Sequence, residues 1–595
     1  MDKKNTFLGI LLLVAAIASL YLSMKYAPQR PATPAAVRQA VARQGGMTPA
    51  PGEPSLQSGG PEATFVTTND DHAGAKITTL ENDFIQVRFT DFGGSIRNVA
   101  LKKYPAVRTE PFPFVFNELH ADPMLALVDF PGLDRRTRFE LVSQSPNEVV
   151  YRAVLDHRLE VTHRYVLSAD AVGTTDPYQL RVETTFRNLT GETTAPMRIS
   201  EALGTAAPFD ALDNGLLLAS GYSDGKHQNF IIRSKLEASG GFLGYGAHDA
   251  SPSIESAGPI VWGVVSNKFF ASVFTPDNPG SGMVTRRVKL LTDLPDTATH
   301  AYGVAGTILL DVPAMGPNGT ATLGGNFYVG PKEYRRLSNS DVFKADQDKI
   351  MQFGMFKFFS ALLLTLMSWI HTFVPNWGLA IVCTTLALKI IFMPLTLAAS
   401  RSARRMQKIQ PQLKAIAEKF KDNPQKKNTA TMELFKEHKV NPAGGCLPVL
   451  ITLPFFIGFF TMLQSTAELR FAPFLWAHDL SAPDTVGHLL GIPINVLPIL
   501  LGITSFMQMR LTPQPTVDNA QAKMMMFTPI IFLVICYSYS CALSLYSTTN
   551  GIFSIIQQLV INRMRDDGDP ASAKAAAGGP AAGRPVKNVT PPKRK

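Results

Sequence analysis

Two hydrophobic patterns divide this chain. Over 62–345, apolar and polar residues alternate in short runs, such as Ile85, Val87 and Phe89, separated by turns rich in glycine, proline, asparagine and aspartate. A period of two predicts half-buried β-strands. Beyond residue 350 the apolar runs are long and follow one another closely, as in membrane-spanning helices. The pattern therefore predicts an all-β sandwich over 62–345, followed by a membrane bundle.

Six apolar runs are predicted to span the membrane. The first, Phe7–Leu22, follows Lys3 and Lys4 and has no small-residue cleavage site behind it, so residues 1–26 are expected to be an uncleaved anchor. The other five form a core within 375–565, at 377–397, 446–467, 489–509, 524–542 and 543–561. The expected fold is a multi-domain membrane protein with an all-α six-span bundle. The compositions of 27–61 and 566–595 predict a flexible linker and a disordered basic tail.

Residues 350–374 are apolar enough to imitate a further span, yet they contain Lys357, Ser360, Ser368 and His371. Counting them as a span would place the basic segment after residue 397 on the outer side, against the positive-inside rule. We therefore expect an amphipathic helix in the outer interface. With this assignment, both termini face the cytoplasm and the β-sandwich lies outside it.

The segment 399–443 is strongly basic, with eleven Lys or Arg and four acidic residues. Apolar residues at three-four spacing predict a helical hairpin, with Pro411 bending the first helix and a second helix at about 428–439. The seam residues are Met406, Ile409, Leu413, Ile416 and Phe420. The hairpin either only fixes topology or binds acidic lipid, nascent chain or ribosomal RNA. Its candidate contact residues are Arg401, Arg404, Arg405, Lys408 and Lys414.

Composition and short motifs limit the kinds of functional site that this chain is expected to contain. The formal net charge is +10, and all four cysteines lie in apolar runs, so no disulfide framework is expected. The chain has no zinc-type histidine pair, no GxSxG and no Walker loop. We therefore expect no metal, no cofactor and no enzymatic activity. A sugar-binding or catalytic cleft in the sandwich stays an alternative, although no sequence motif indicates one.

Lys389 is the main candidate functional residue. It lies near the middle of the apolar run 377–397, where a lysine costs about 2.5–3.5 kcal/mol on insertion scales. Thr385 and Thr396 share its helix face at spacings of four and seven. None of the other spanning runs contains Asp, Glu or His, so no counter-ion is available there. Either the lysine snorkels, or it faces a wet cavity that a ligand's negative charge can enter, and we favour the cavity.

Several short sequence blocks are similar to those of a known protein family. The chain resembles the YidC membrane protein insertase family in Asn376-Trp377-Gly378, Met393-Pro394-Leu395-Thr396, Val440–Pro448, Glu468–Phe474 and Trp476–Ser481. Phe92–Ile96 and Ser368–His371 are similar to its Gram-negative form, which carries a periplasmic β-sandwich. The similar blocks occur in order along nearly the whole chain.

The resemblance implies a function. Family members insert and fold inner-membrane proteins through a hydrophilic groove, alone or with the Sec translocon and its accessory subunits. A cation in the groove, usually arginine, attracts acidic parts of the substrate, and Lys389 holds that position here. Thr385 matches a second groove position. The resemblance adds Leu453, Phe456 and Tyr546 as substrate-facing residues, an inner-membrane location, and possible ribosome contact through the basic hairpin and the tail.

Two other function classes fit the sequence less well. A secondary transporter would need acids or histidines within its spans to couple ions, and these are missing from the predicted spans. A periplasmic carbohydrate-binding protein or enzyme held by membrane helices would leave Lys389 without a role. The expected partners are nascent membrane proteins and the lipid bilayer, and no DNA.

Overall fold

The computed structural model describes residues 74–563, apart from 109–111, 121, 131, 169–175, 210–212, 214, 239–247, 296–297, 422, 439–446, 490, 512–528, 531–532 and 535. The predicted anchor at 1–26, the linker at 27–61 and the tail at 566–595 lie outside these residues. The chain forms two compact units. The first comprises the residues up to Ala380, Leu453–Asn495 and Ser538–Leu543, and the second comprises Ile381–Thr452, Val496–Tyr537 and the residues from Ser544.

Antiparallel strands make up most of the first unit. In chain order the described strands are β1 Ile77–Glu81, β2 Ile85–Thr90, β3 Ser95–Pro105, β4 Pro113–Phe116, β5 Glu140–Gln144, β6 Glu148–Leu155, β7 Leu159–Leu167, β8 Gln179–Asn188, β9 Met197–Ala206, β10 Ala219–Ser223, β11 Gln228–Ile232, β12 Ser253–Ile260, β13 Trp262–Ser266, β14 Phe270–Pro276, β15 Gly280–Lys289, β16 Tyr302–Val312 and β17 Thr320–Pro331. They confirm the predicted all-β domain.

These strands pack as two layers. One layer is a nine-stranded sheet with the order β11-β10-β13-β14-β17-β8-β7-β6-β5. Two four-stranded sheets, β1-β2-β3-β4 and β12-β15-β16-β9, cover one face of it. Phe89 of β2 packs on Tyr165 of β7, with ring centroids 5.0 Å apart, and the Ser272 hydroxyl of β14 donates to the Leu203 carbonyl of β9 at 2.7 Å. The core lies between the layers.

The alternating pattern correctly located several strands. Along β7 every second side chain from Leu159 to Leu167 is buried, as a sheet with one covered face requires. The short apolar run 259–265 covers the end of β12 and most of β13, because the strand breaks after Ile260. Strands such as β9 and β16 were not assigned from the pattern. They are buried on both faces for much of their length and therefore do not alternate.

Eight described α-helices follow or close the sheets. They are α1 Tyr334–Leu337, α2 Lys357–Phe373, α3 Trp377–Lys408, α4 Gln410–Lys419, α5 Pro424–Glu437, α6 Leu447–Ser465, α7 Val496–Leu511 and α8 Cys541–Arg563. Within the described residues, Gly354–Phe373 and Trp377–Ser400 are long and apolar enough to cross a membrane by length and composition. The six-span count therefore remains a prediction, since 7–22 and eight of the nineteen residues of 524–542 lie outside the description.

The structure corrects two predicted boundaries. The helix that begins at Trp377 does not end at residue 397 but continues to Lys408, so the first basic residues of 399–443 belong to it. The predicted span 489–509 is wrong over its first seven residues. Two strands, β18 Thr485–Leu489 and β19 Ile492–Asn495, form a hairpin there, and the helix begins at Val496. Gly491, at φ 82°, makes the turn that hydropathy does not detect.

The predicted interfacial helix coincides with α2. One face is buried against α6: the Ser360 hydroxyl donates to the Gly458 carbonyl at 3.0 Å, and Phe359 packs on Phe455. The opposite face is exposed and apolar, and it comprises Phe358, Leu362, Trp369 and Phe373. The placement of this helix in the membrane interface stays a prediction, since the same segment is also long and apolar enough to cross a membrane.

The first turn of α3 is fixed by a close packing contact. The Asn376 side-chain oxygen accepts from the Leu379 amide at 3.0 Å, and its amide donates to the Pro473 carbonyl at 3.2 Å. Gly378 lies so close to Phe474 that an added Cβ would be 2.2 Å from the ring. The helix that carries Lys389 is thus anchored at its first turn by the 473–477 segment.

Replacing Gly378 with leucine is expected to lower stability by about 1–3 kcal/mol, because the new side chain must displace the Phe474 ring. Thermal unfolding of the purified protein in detergent measures the effect. Gly487→Leu is the matched control, since no atom lies within 4 Å of its added Cβ. Equal unfolding temperatures for the two variants would show that the first turn of α3 tolerates displacement.

Candidate functional site

Lys389 lies on α3 in the second unit, and its side chain is half-buried. Its ammonium group donates to the Ser554 hydroxyl of α8 at 2.6 Å. That hydroxyl in turn donates to the Asn550 carbonyl one turn earlier, at 2.7 Å. Among the residues that the structure describes, the ammonium group contacts no carboxylate. Within the described part of the chain, the positive charge is therefore held by a neutral hydroxyl rather than by a carboxylate.

A second polar contact joins the same two helices. The Gln557 side-chain amide on α8 donates to the Thr396 hydroxyl on α3. Residues 389 and 396 advance along α3 while their partners 554 and 557 advance along α8, so the helices run parallel at this seam. Hydrogen bonds between side chains are favourable where backbone and lipid offer no alternative partner.

The third helix at this seam is α7. The Thr548 hydroxyl of α8 donates to the Leu497 carbonyl at 3.1 Å. Gly551 faces Thr504 so closely that an added Cβ would lie 2.9 Å from the threonine hydroxyl oxygen. Small residues let helix backbones approach, which supports polar contacts in a membrane.

The predicted residues Thr385 and Tyr546 are both buried in this unit. Thr385 is 1% exposed, and its hydroxyl donates to the Ile381 carbonyl of its own helix at 2.7 Å. Tyr546 on α8 is 7% exposed. Several further polar side chains on α8 are also buried: Ser544, Ser547, Thr548 and Thr549. Together they make the interior of this unit polar, which is unusual for apolar helices.

Leu453 and Phe456 lie on the part of α6 that belongs to the first unit. The Leu453 side chain is 44% exposed, whereas Phe456 is half-buried. Pro454 lies between them within the helix. An exposed leucine on an apolar helix offers a surface for another apolar segment.

The basic hairpin has the predicted apolar seam. Ile409, Leu413 and Leu434 form its small core, with Met406, Ile416 and Phe435 packed around it. The turn before Pro411 separates α3 from α4. Asn423 caps α5, accepting from the Lys426 amide at 3.0 Å, so this helix begins earlier than the predicted 428. The side chains of Arg405, Lys408 and Lys414 are exposed, and those of Arg401 and Arg404 are outside the description.

A buried group of three polar side chains in the β domain is not predicted by the sequence analysis. His163 Nδ1 lies 3.0 Å from the Thr184 hydroxyl oxygen, which lies 3.4 Å from Glu201 Oε1. Burial raises the pKa of Glu201 to about 7 and lowers the pKa of His163 to about 4. Their only sequence signal is a polar residue at an inward-facing strand position.

The β domain also contains a cavity of about 200 Å³, lined by residues such as Phe114, Phe209 and Asn117. The side chain of Asn117 is used by the protein itself: it donates to two carbonyls and accepts from the Thr205 amide. Among the described residues, no three His, Cys, Asp or Glu side chains could hold a metal ion.

Two protein families match this chain. The family described as "YidC periplasmic domain" matches residues 77–366, and the family described as "60Kd inner membrane protein" matches residues 369–568. The two matches adjoin between residues 366 and 369, within the segment 350–374 that is predicted to be an interfacial helix.

Individual relatives agree with the family matches. A protein named "Membrane protein insertase YidC" from Burkholderia ambifaria is 29% identical over 95% of this chain and 98% of its own length. One of the same name from Paraburkholderia xenovorans is 37% identical over 53% of each chain, so that match spans about half the length of the relative. A solved structure, "Active YidC insertase crystal structure with the first transmembrane domain resolved", shares 18% identity over 82% of this chain and 94% of its own, with a TM-score of 0.32.

Proposed function

Because the chain belongs to the YidC family of membrane protein insertases, in the Gram-negative form with a large periplasmic domain, we propose that it inserts membrane proteins into the inner membrane and helps them fold there. It is an inner-membrane protein with a β-sheet periplasmic domain, and it is not an enzyme. Family membership leaves the transporter and carbohydrate-enzyme alternatives without support.

The observation that carries the proposal is that, among the described residues, the Lys389 ammonium group contacts a hydroxyl and no carboxylate. A substrate carboxylate about 4 Å from this ammonium group gains about 1–4 kcal/mol, depending on the effective dielectric. The Ser554 hydroxyl holds the ammonium group without neutralising it. A bound substrate can therefore exchange a weak neutral partner for a strong charged one. The apolar segment of that substrate then gains its own free energy by entering lipid.

The polar interior of the second unit supports the proposal of a hydrophilic groove. We propose that Lys389 and Thr385, with Ser554 and Gln557, line a hydrophilic path for the polar part of a substrate. Leu453 and Phe456 are proposed to contact its apolar segment, and Tyr546 to line the path near the start of α8. Lysine lacks the two-pronged hydrogen bonding of arginine. We expect carboxylate capture here to depend on charge rather than on bidentate geometry.

The topology and partners form a second part of the proposal. Six spans, cytoplasmic termini and an interfacial α2 satisfy the positive-inside rule for the basic residues around Arg405 and Lys414. The basic hairpin is proposed to bind acidic lipid headgroups or the ribosome. Cooperation with the Sec translocon is proposed from family membership alone.

Photo-cross-linking tests the proposed function. With a photo-reactive residue in place of Leu453 or Phe456, translation of a short membrane protein is expected to give a cross-link to its apolar segment, because these side chains are proposed to contact it. The matched control is Trp369 on α2, which is apolar and 60% exposed but lies outside the proposed path. Equal trapping at Trp369 and Leu453 would contradict a dedicated contact on α6.

A further inference from the structure

The hairpin of β18 and β19 has an apolar tip. Leu489 pairs with Ile492 across the turn, and Gly491 supplies the positive φ of 82°. The exposed fractions are 65% for Leu489, 54% for Val486 and 36% for Ile492. Hairpin turns in water are usually built from asparagine, aspartate and glycine. A tip with exposed leucine and isoleucine indicates a partner that is itself apolar.

The hairpin's surroundings identify that partner. β19 ends at Asn495, and the apolar helix α7 begins at the next residue. The twelve residues from Thr485 to Val496 include no Asp, Glu, Lys or Arg. The hairpin is thus continuous in sequence with a proposed membrane span, and it carries none of the formal charges that would keep it in water.

A second exposed apolar group precedes the hairpin. Leu475 is 70% exposed and Trp476 is 38% exposed. The Trp476 indole N–H donates to Asp484 Oδ2 at 3.1 Å, so its polar atom is satisfied while the ring stays accessible. Tryptophan with a satisfied N–H and an exposed ring is typical of the membrane–water interface.

We propose that the tip of this hairpin, at Leu489 and Ile492, inserts into the outer leaflet of the membrane beside the start of α7. The proposal rests on the topology proposed above, in which α7 begins at the outer face. The strand from Asn495 to Ile492 reaches about 10 Å at about 3.4 Å per residue. Insertion therefore stops at the boundary between headgroups and acyl chains, because deeper burial would remove unpaired strand-edge groups from water.

Fluorescence quenching in proteoliposomes tests the insertion. The full chain, with its four cysteines replaced by alanine, receives one cysteine at Leu489 and an environment-sensitive label. We expect blue-shifted emission, quenching by a lipid that carries a doxyl group near the headgroup, and loss of iodide quenching. The matched control is Val142→Cys, since Val142 is apolar and 50% exposed but lies on β5 of the β domain. Its label is expected to be quenched by iodide.

A third label separates this proposal from the topology on which it rests. Ile503 is 51% exposed on α7, so a label at Ile503→Cys is expected to be quenched by doxyl lipid. If lipid quenches at Ile503 while iodide quenches at Leu489, only the hairpin proposal is overturned. If iodide quenches at both, the proposed span fails and the hairpin proposal fails with it. Protection of Leu489 from both quenchers would mean that protein covers the tip, which also overturns the proposal.

Discussion

Replacing Lys389 with glutamate is expected to abolish insertion of substrates whose extracytoplasmic segments are acidic. The substitution turns an attraction of about 1–4 kcal/mol at about 4 Å into a repulsion of similar size. The total change of about 2 kcal/mol or more corresponds to a loss of about thirtyfold or more in rate. Insertion of an acidic-tailed membrane protein into proteoliposomes, measured by protease protection, gives the rate.

Lys389→Arg is the matched control for the charge. Arginine keeps the cation and adds a second donor for the carboxylate, so insertion is expected to persist or improve. A substrate whose tail lacks acidic residues should be less sensitive to the glutamate variant. Equal insertion of the acidic-tailed substrate by the glutamate and arginine variants would remove this lysine from the mechanism.

The second large effect concerns the stability of the β domain and its dependence on pH. Replacing Glu201 with glutamine is expected to stabilise the domain by about 3 kcal/mol at pH 8, since each pKa unit corresponds to about 1.4 kcal/mol. Glutamine keeps the shape and a polar atom for Thr184 but cannot ionise. Near pH 4.5 the two proteins should be equally stable, because the buried carboxyl group is then protonated.

The direction of each pKa shift determines whether that group makes the β domain more or less stable as the pH rises. The pKa of Glu201 is raised from 4.5 to about 7 by burial, so the folded state holds the proton more tightly and stability falls as pH rises through this interval. The pKa of His163 is lowered from 6.5 to about 4, so its contribution rises over almost the same interval. The two slopes nearly cancel in the natural protein. The glutamine variant should lose the Glu201 slope and keep the slope of His163.

Hydrogen exchange of β7, β8 and β9 in the full-length protein measures this effect, with both proteins compared at the same pH. Glu255→Gln is the control, because Glu255 is exposed on β12 and its replacement should leave the profile unchanged. If hydrogen exchange in these strands is the same with and without Glu201→Gln at pH 8, the ionised Glu201 carboxylate does not destabilise the β domain, and the prediction is wrong.

Strand alternation and apolar run length were sufficient to predict the two parts of the chain. Apolar residues such as Leu159 and Val161 alternate with polar residues because only one face of β7 is covered. This alternation is visible in the sequence without the structure. The hairpin seam around Leu413 was likewise predicted, since three-four spacing on a helix brings its members together. The same reasoning failed at 489–495, because hydropathy does not distinguish an apolar hairpin from an apolar helix.

The sequence by itself determined that a lysine lies within an apolar segment, without acids or histidines in the other predicted spans to pair with it. Only the tertiary structure decided that Ser554 holds this lysine and that Gln557 contacts Thr396, because those pairs are more than 150 residues apart. It also brought Glu201 and His163 to opposite sides of Thr184. Periodicity reports which face of an element is buried, whereas the partner across that face depends on how elements pack.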